Sequence, residues 1–143
     1  MAHDFARLAL GTTAALLASG LLLSATTAQA APLNVTTEGV RSDRGMLRVG
    51  VYSASDRQVA TLAVPAVVGR LTVGLDVPPG AYAVRIHHDE DGDGRLATGP
   101  FGMPREGYGF SNRAKTRFGV PSFQKMRVRI GASPAAAVAT LRY

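Results

Sequence analysis

Cysteine and tryptophan are both absent from the 143 residues. Without cysteine there is no disulfide, no thiolate metal site, no catalytic thiol and no anchor for a lipid at a processed N-terminus. Without tryptophan the chain lacks the largest flat surface for stacking a sugar. Lysine is scarce too, since 14 of the 16 basic residues are arginine. Helix signals are nearly missing after residue 30. What remains is a basic, arginine-rich sequence of net charge +6, which is attracted to polyanions.

Residues 1–30 read as a cleavable signal peptide. Arg7 is the basic residue of a weak n-region, partly cancelled by Asp4. The apolar stretch Leu8–Leu23 is 16 residues long and is broken by Gly11, Ser19 and Gly20. A membrane-spanning helix needs about 20 predominantly apolar residues, so this stretch is short for one. Ala28-Gln29-Ala30 supplies the small-x-small cleavage pattern. The competing reading is an uncleaved N-terminal anchor. Cleavage predicts an exported protein, periplasmic or extracellular, with no membrane span and residues 31–143 as a single domain. A domain longer than about 80 residues can build its own core without staples.

Strand signals in that domain are short and frequent. Leu33–Val40 opens the series, and Arg41–Gly45 reads as a turn. Met46–Tyr52 alternates, with Leu47, Val49 and Val51 inward and Arg48 on the other face. Gln58–Val64 is weaker, and Leu71–Val77 alternates well. Pro78-Pro79-Gly80 predicts a tight turn in which proline presets the bend and glycine takes a positive φ. Ala81–His88, Phe123–Ile130 and Ala137–Tyr143 complete the set, although Ala135–Ala137 also suits a helical turn. The expectation is all-β: one β-sandwich of about seven strands, Ig-like or transthyretin-like. Residues 89–122 lack strand periodicity and predict one long ordered loop across the sandwich.

Residues 89–94 read Asp-Glu-Asp-Gly-Asp-Gly. Asp89, Asp91 and Asp93 at alternate positions, followed by Gly94, form the first half of an oxygen-cage calcium loop. The Arg95 carbonyl would add a ligand, and Glu106 is the candidate to complete the shell. The twelfth loop position is Pro100 instead of glutamate, and a strand precedes the loop, so this is no EF-hand. The alternative is structural, because Asp and Gly also cap their own backbone in turns.

Residues 99–112 are rich in glycine and aromatics. Gly107 and Gly109 bracket Tyr108, and Phe110 follows. One reading is a ligand platform of Arg105, Glu106, Tyr108, Phe110 and Asn112, with the two rings packed on the open end of the sandwich. The other is a self-packed Ω-loop whose aromatics are its own core.

From Pro78-Pro79-Gly80-Ala81-Tyr82, through His88–Gly94 and Phe101–Asn112, to Pro121-Ser122-Phe123, the chain resembles the secreted bacterial family catalogued as domain of unknown function 2141. The Gly-Tyr-Gly-Phe-Ser-Asn run carries most of that resemblance. It implies a small exported β-sandwich and supplies no reaction. The family commonly has Asp where this chain has Ala97, so a shared metal role loses one carboxylate here. The Pro-Pro-Gly-x-Tyr turn is also similar to transthyretin-like and carboxypeptidase-regulatory-like sandwiches.

Lys125, Arg127 and Arg129 alternate, which predicts a cationic ladder on one strand face. That ladder is either an anion-binding face or an edge strand protected by charge. No aromatic interleaves these cations, so no specific nucleic-acid partner is expected. The partner chemistry that fits is an anionic envelope component. His87 and His88 are adjacent and must point to opposite faces of a strand. Neither Ser111 nor Ser122 sits in a Gly-x-Ser-x-Gly elbow. The leading expectation is a non-enzymatic binding or structural module, with calcium in the acidic loop as its candidate cofactor. The competing expectation is an enzyme using Glu106, Tyr108 and His88.

Overall fold

The computed structural model describes residues 31–115 and 117–143, and the segment read as a signal peptide lies outside them. Eight strands among these residues form two sheets: β1 (Ala31–Val40), β2 (Met46–Tyr52), β3 (Gln58–Pro65), β4 (Gly69–Val77), β5 (Gly80–Asp89), β6 (Gly107–Phe110), β7 (Arg127–Ile130) and β8 (Ala135–Thr140). A three-stranded sheet has the order β4-β1-β8, and a five-stranded sheet runs β3-β2-β5-β6 with β7 also on β5. The pairings are antiparallel except β1 with β8, which is parallel. The result is the expected sandwich.

The period-2 pattern decides which side chains meet between the sheets. Leu33 and Val35 of β1 face Leu47, Val49 and Val51 of β2 and Val84 and Ile86 of β5 in one buried cluster. Each such side chain contributes roughly 1.5–3 kcal/mol by leaving water. A second, smaller cluster lies on the opposite face of the five-stranded sheet. It joins Ala83, Phe110 and Met126, with Tyr108, Ala114 and Phe123 packed against them.

Three local expectations change. Phe123–Met126 is a short helix, α1, and only Arg127–Ile130 is strand. The helical turn buries Met126 in the second cluster, and that burial overrides the alternating pattern. The cationic ladder is correspondingly shorter: Arg127 and Arg129 are exposed on β7, while Lys125 stands on α1. Ala135–Ala137 is strand, because its backbone pairs with Leu33–Val35. Gly80 does not enter the left-handed region. It opens β5, and a Cβ there would lie 2.8 Å from the Tyr82 hydroxyl, so close approach explains the glycine.

The described residues of the 89–122 excursion include paired segments, β6 and the Thr98–Pro104 bridge. β6 interrupts it and lies along β5, with Tyr108 opposite His87 and Phe110 opposite Arg85. β7 occupies the same edge of β5 further along, from Gly80 to Ala83.

Candidate binding groove and acidic loop

Val84 falls between the stretches of β5 paired to β6 and to β7. Its N–H is taken by Ser111 Oγ at 3.0 Å, and that hydroxyl donates to the Met126 carbonyl. Asn112, at φ 60°, donates from Nδ2 to the carbonyls of Lys125 (3.2 Å) and Arg127 (3.0 Å). The Ser-Asn pair therefore splices two short strands into one edge.

The glycines of the same run serve packing. A Cβ on Gly107 would come within 2.5 Å of the Tyr143 ring, and one on Gly109 within 3.0 Å of the Thr140 carbonyl. Gly107 and Gly109 admit the C-terminal segment on the inner face, while Tyr108 and Phe110 turn outward. Their rings meet edge-on at 5.8 Å between centroids. These rings lie on the outer face of the five-stranded sheet and not at the open end of the sandwich.

That outer face is the floor of an open groove of about 940 Å³. Arg48 and Tyr52 come from β2, Arg85 and His87 from β5, and Tyr108 from β6. Segments 94–104 and 117–120 form its walls. Arg85 stacks on the Tyr52 ring at 4.3 Å and pairs with Asp56. Its Nε is buried with no hydrogen-bond partner among the described residues. No aspartate or glutamate lines the groove, although Arg48, Arg85, His87 and Arg117 do.

The carboxylates beside the groove are consumed internally. Asp89 is fully buried. Its Oδ1 accepts the Gly92 N–H at 2.9 Å. Its Oδ2 accepts Gly94 N–H at 3.0 Å and Arg48 Nε at 2.6 Å. Burial pushes the Asp89 carboxyl up, but the Arg48 and glycine hydrogen bonds together hold it below its ordinary value. Glu106 is also buried. It accepts Glu90 N–H (2.8 Å), Ala97 N–H (2.9 Å) and His87 Nε2–H (2.9 Å). These donors outweigh the upward push of burial and leave its carboxyl low. Glu106 thus pins both ends of the acidic loop, and Ala97 contributes only its backbone there.

Ligand atoms of Asp89, Asp91 and Asp93 lie within 4.8 Å of one another, and so do those of His87, Asp89 and Glu106. Glu106 therefore converges with Asp89 but not in one group with Asp91 and Asp93. Asp91 and Asp93 are exposed and cap the N–H groups of Asp93 (3.1 Å) and Arg95 (2.6 Å). The side chain the alternating carboxylates did not advertise is Arg48, whose guanidinium supplies a cation at Asp89. Its position opposite in parity to Leu47 and Val49 was the available signal.

Glu106, Tyr108 and His88 do not share a site. His88 points into the core, where Nε2–H donates to the Arg44 carbonyl (2.9 Å) and Nδ1 accepts the Tyr143 hydroxyl (2.7 Å). Tyr108 faces the groove, and Glu106 is enclosed behind it. Of the platform residues, Tyr108 and Phe110 line the groove, whereas Asn112 is taken up by its two carbonyls. Arg105 is exposed, and its N–H closes onto the Ala97 carbonyl at 2.8 Å. Sequence reasoning passed over Tyr52, Arg85 and Phe101, because which strand faces lie uncovered depends on the sheet order.

Residues 35–137 match the model of a family described as "Uncharacterized protein conserved in bacteria (DUF2141)". No curated protein and no solved structure matches the chain.

Proposed function

Since the chain belongs to this bacterial family, DUF2141, whose description names no reaction, we propose from the site itself that it is an exported, non-enzymatic binding module. Its ligand is an anionic, partly apolar envelope component, held in the groove on the outer face of the five-stranded sheet. The observation that carries this reading is the charge of the groove. Its floor and walls hold three arginines and a histidine with aromatic rings between them, and no aspartate or glutamate side chain. Asp89, Asp56 and Glu106 pair with Arg48, Arg85 and His87 and offset much of that charge, so the excess positive charge rests on Arg117, which has no ion pair among the described residues. A cleft lined by one sign of charge draws ligands of the other.

Dodecanoate is a suitable soluble probe, with neutral dodecyl maltoside as its control. Dodecanoate is expected to raise the melting temperature, because a ligand that binds only the folded state stabilises it. Arg85→Ala is expected to abolish that rise. Equal shifts from the neutral detergent, or no shift at all, overturn the groove reading.

A second reading places calcium in the acidic loop. It is supported by the convergence of Asp89, Asp91 and Asp93 within 4.8 Å. It must contend with Arg48, which already neutralises the only buried member of that group. Calorimetric titration with calcium tests it, and absence of heat at millimolar concentration ends it.

A further inference from the structure

Two walls of the groove end in exposed apolar tips. Residues 97–105 form a closed projection: Arg105 N–H reaches the Ala97 carbonyl at 2.8 Å, and Gly99 N–H reaches the Met103 carbonyl at 2.7 Å. Phe101 stands at its apex, fully exposed and at φ 63°. A bulky non-glycine residue in the left-handed region costs free energy, of order 1–3 kcal/mol. A ring wholly in water returns none of it. Stability of the fold therefore does not account for Phe101. Met103 beside it is 67% exposed, and Phe118 and Val120 on the neighbouring wall are 91% and 50% exposed. Arg95, Arg105, Lys115 and Arg117 are exposed in the same segments.

We infer that these two tips dock the protein on an anionic lipid bilayer, with Phe101 and Met103 entering the headgroup boundary and the flanking cations meeting phosphates. Apolar tips ringed by cations suit such an interface, because burial of the rings adds to attraction by anionic lipid. The net charge of +6 acts in the same direction. The inference rests on the reading of the groove as the binding face, since the docked tips would open it toward the envelope.

The test uses protein recovered from an exporting host, its N-terminus checked by mass. Co-sedimentation is measured with vesicles of equal parts phosphatidylglycerol and phosphatidylcholine, and with phosphatidylcholine alone. Binding is expected to the anionic vesicles only, and to fall steeply with added salt. Phe101→Asp is expected to weaken it about tenfold or more, given what burial of one phenylalanine contributes. Phe101→Gly relieves the left-handed backbone, so it should fold at least as well as the parent and still lose binding. Full binding by Phe101→Gly, or equal binding to neutral vesicles, overturns the proposal. So does sedimentation velocity showing that Phe101 instead joins two copies of the chain. Arg85→Ala separates the two readings, because it should lose dodecanoate and keep vesicle binding, whereas a variant with Arg95, Arg105 and Lys115 changed to serine, none of which lines the groove, should do the reverse.

Discussion

Ser111 Oγ accepts the Val84 N–H at 3.0 Å at the one point where β5 passes from its β6 partner to its β7 partner. Buried backbone N–H groups are nearly always paired with an acceptor, and here a hydroxyl stands in for a missing strand residue. The same oxygen donates to the Met126 carbonyl, so one fully buried side chain satisfies two backbone groups.

Ser111→Ala should therefore cost more than an ordinary hydrogen bond. Two buried groups lose partners, at about 1–3 kcal/mol each. We expect a total loss of roughly 2–6 kcal/mol in urea unfolding, with the slope unchanged. A loss under about 0.5 kcal/mol, the size of an average surface substitution, would show that the splice does not depend on the hydroxyl.

This splice also marks how far the sequence could be read. The alternation of Leu47, Val49 and Val51, and of Tyr82, Val84 and Ile86, exposed the core strands directly, since period 2 is imposed by the pleat. β6 escaped because alternate glycines erase that period: Gly107 and Gly109 occupy the inward positions where apolar side chains would have shown it. α1 escaped because four residues are too few for a helical period to appear. The acidic loop was visible as a cluster of carboxylates. Its cation was not, because Arg48 lies 41 residues away and meets Asp89 only through the β2–β5 pairing. The groove was hidden for the same reason, since its floor is assembled from four strands, β3, β2, β5 and β6, and no single segment contains it.

Arg48 at Asp89 makes a prediction of its own. Arg48→Gln leaves the buried carboxylate without its cation, and breaking a buried pair from one side typically costs about 3–5 kcal/mol. Arg48 is itself partly exposed, so we expect the lower part of that range or less. If the loop can exchange a guanidinium for a metal, millimolar calcium should restore part of the melting temperature of Arg48→Gln and leave the parent unmoved. A parent that responds to calcium as strongly as the variant would contradict the role given to Arg48.

Acid should loosen the same corner of the molecule. The Arg41 hydrogen bond, helped by Ser42, holds the Glu90 carboxyl at about 2 against burial that pushes it up, and the ordinary value is 4.5. Asp89 and Glu106 are also held low. A folded value below the unfolded one means that the charged form carries the stability. That contribution is complete above about pH 4.5 and drains away as the pH falls toward 2. Glu90 should account for on the order of 1–2 kcal/mol once solvent at the half-exposed Arg41 is allowed for. Denaturant midpoints of Glu90→Gln should start lower at neutral pH, fall less between pH 4.5 and 2, and converge with the parent at the acid end. Parallel curves would remove Glu90 from the account.

The last test concerns the contact that lets β6 lie against the C-terminal segment. Tyr143 accepts the Arg41 N–H at 3.1 Å, donates to His88 Nδ1, and carries the Arg41 guanidinium 4.1 Å above its ring. Its ring also fills the space that a side chain on Gly107 would need. Gly107→Ala should consequently cost about 1–3 kcal/mol by overpacking, and Tyr143→Ala a similar amount through the orphaned His88 and the lost packing. The two should not add. With the ring removed, the alanine methyl meets open space, so the double variant should be more stable than the sum predicts by at least about 1 kcal/mol. Additivity within about 0.5 kcal/mol would place the cost of Gly107→Ala elsewhere, because independent sites add to that tolerance and touching ones do not.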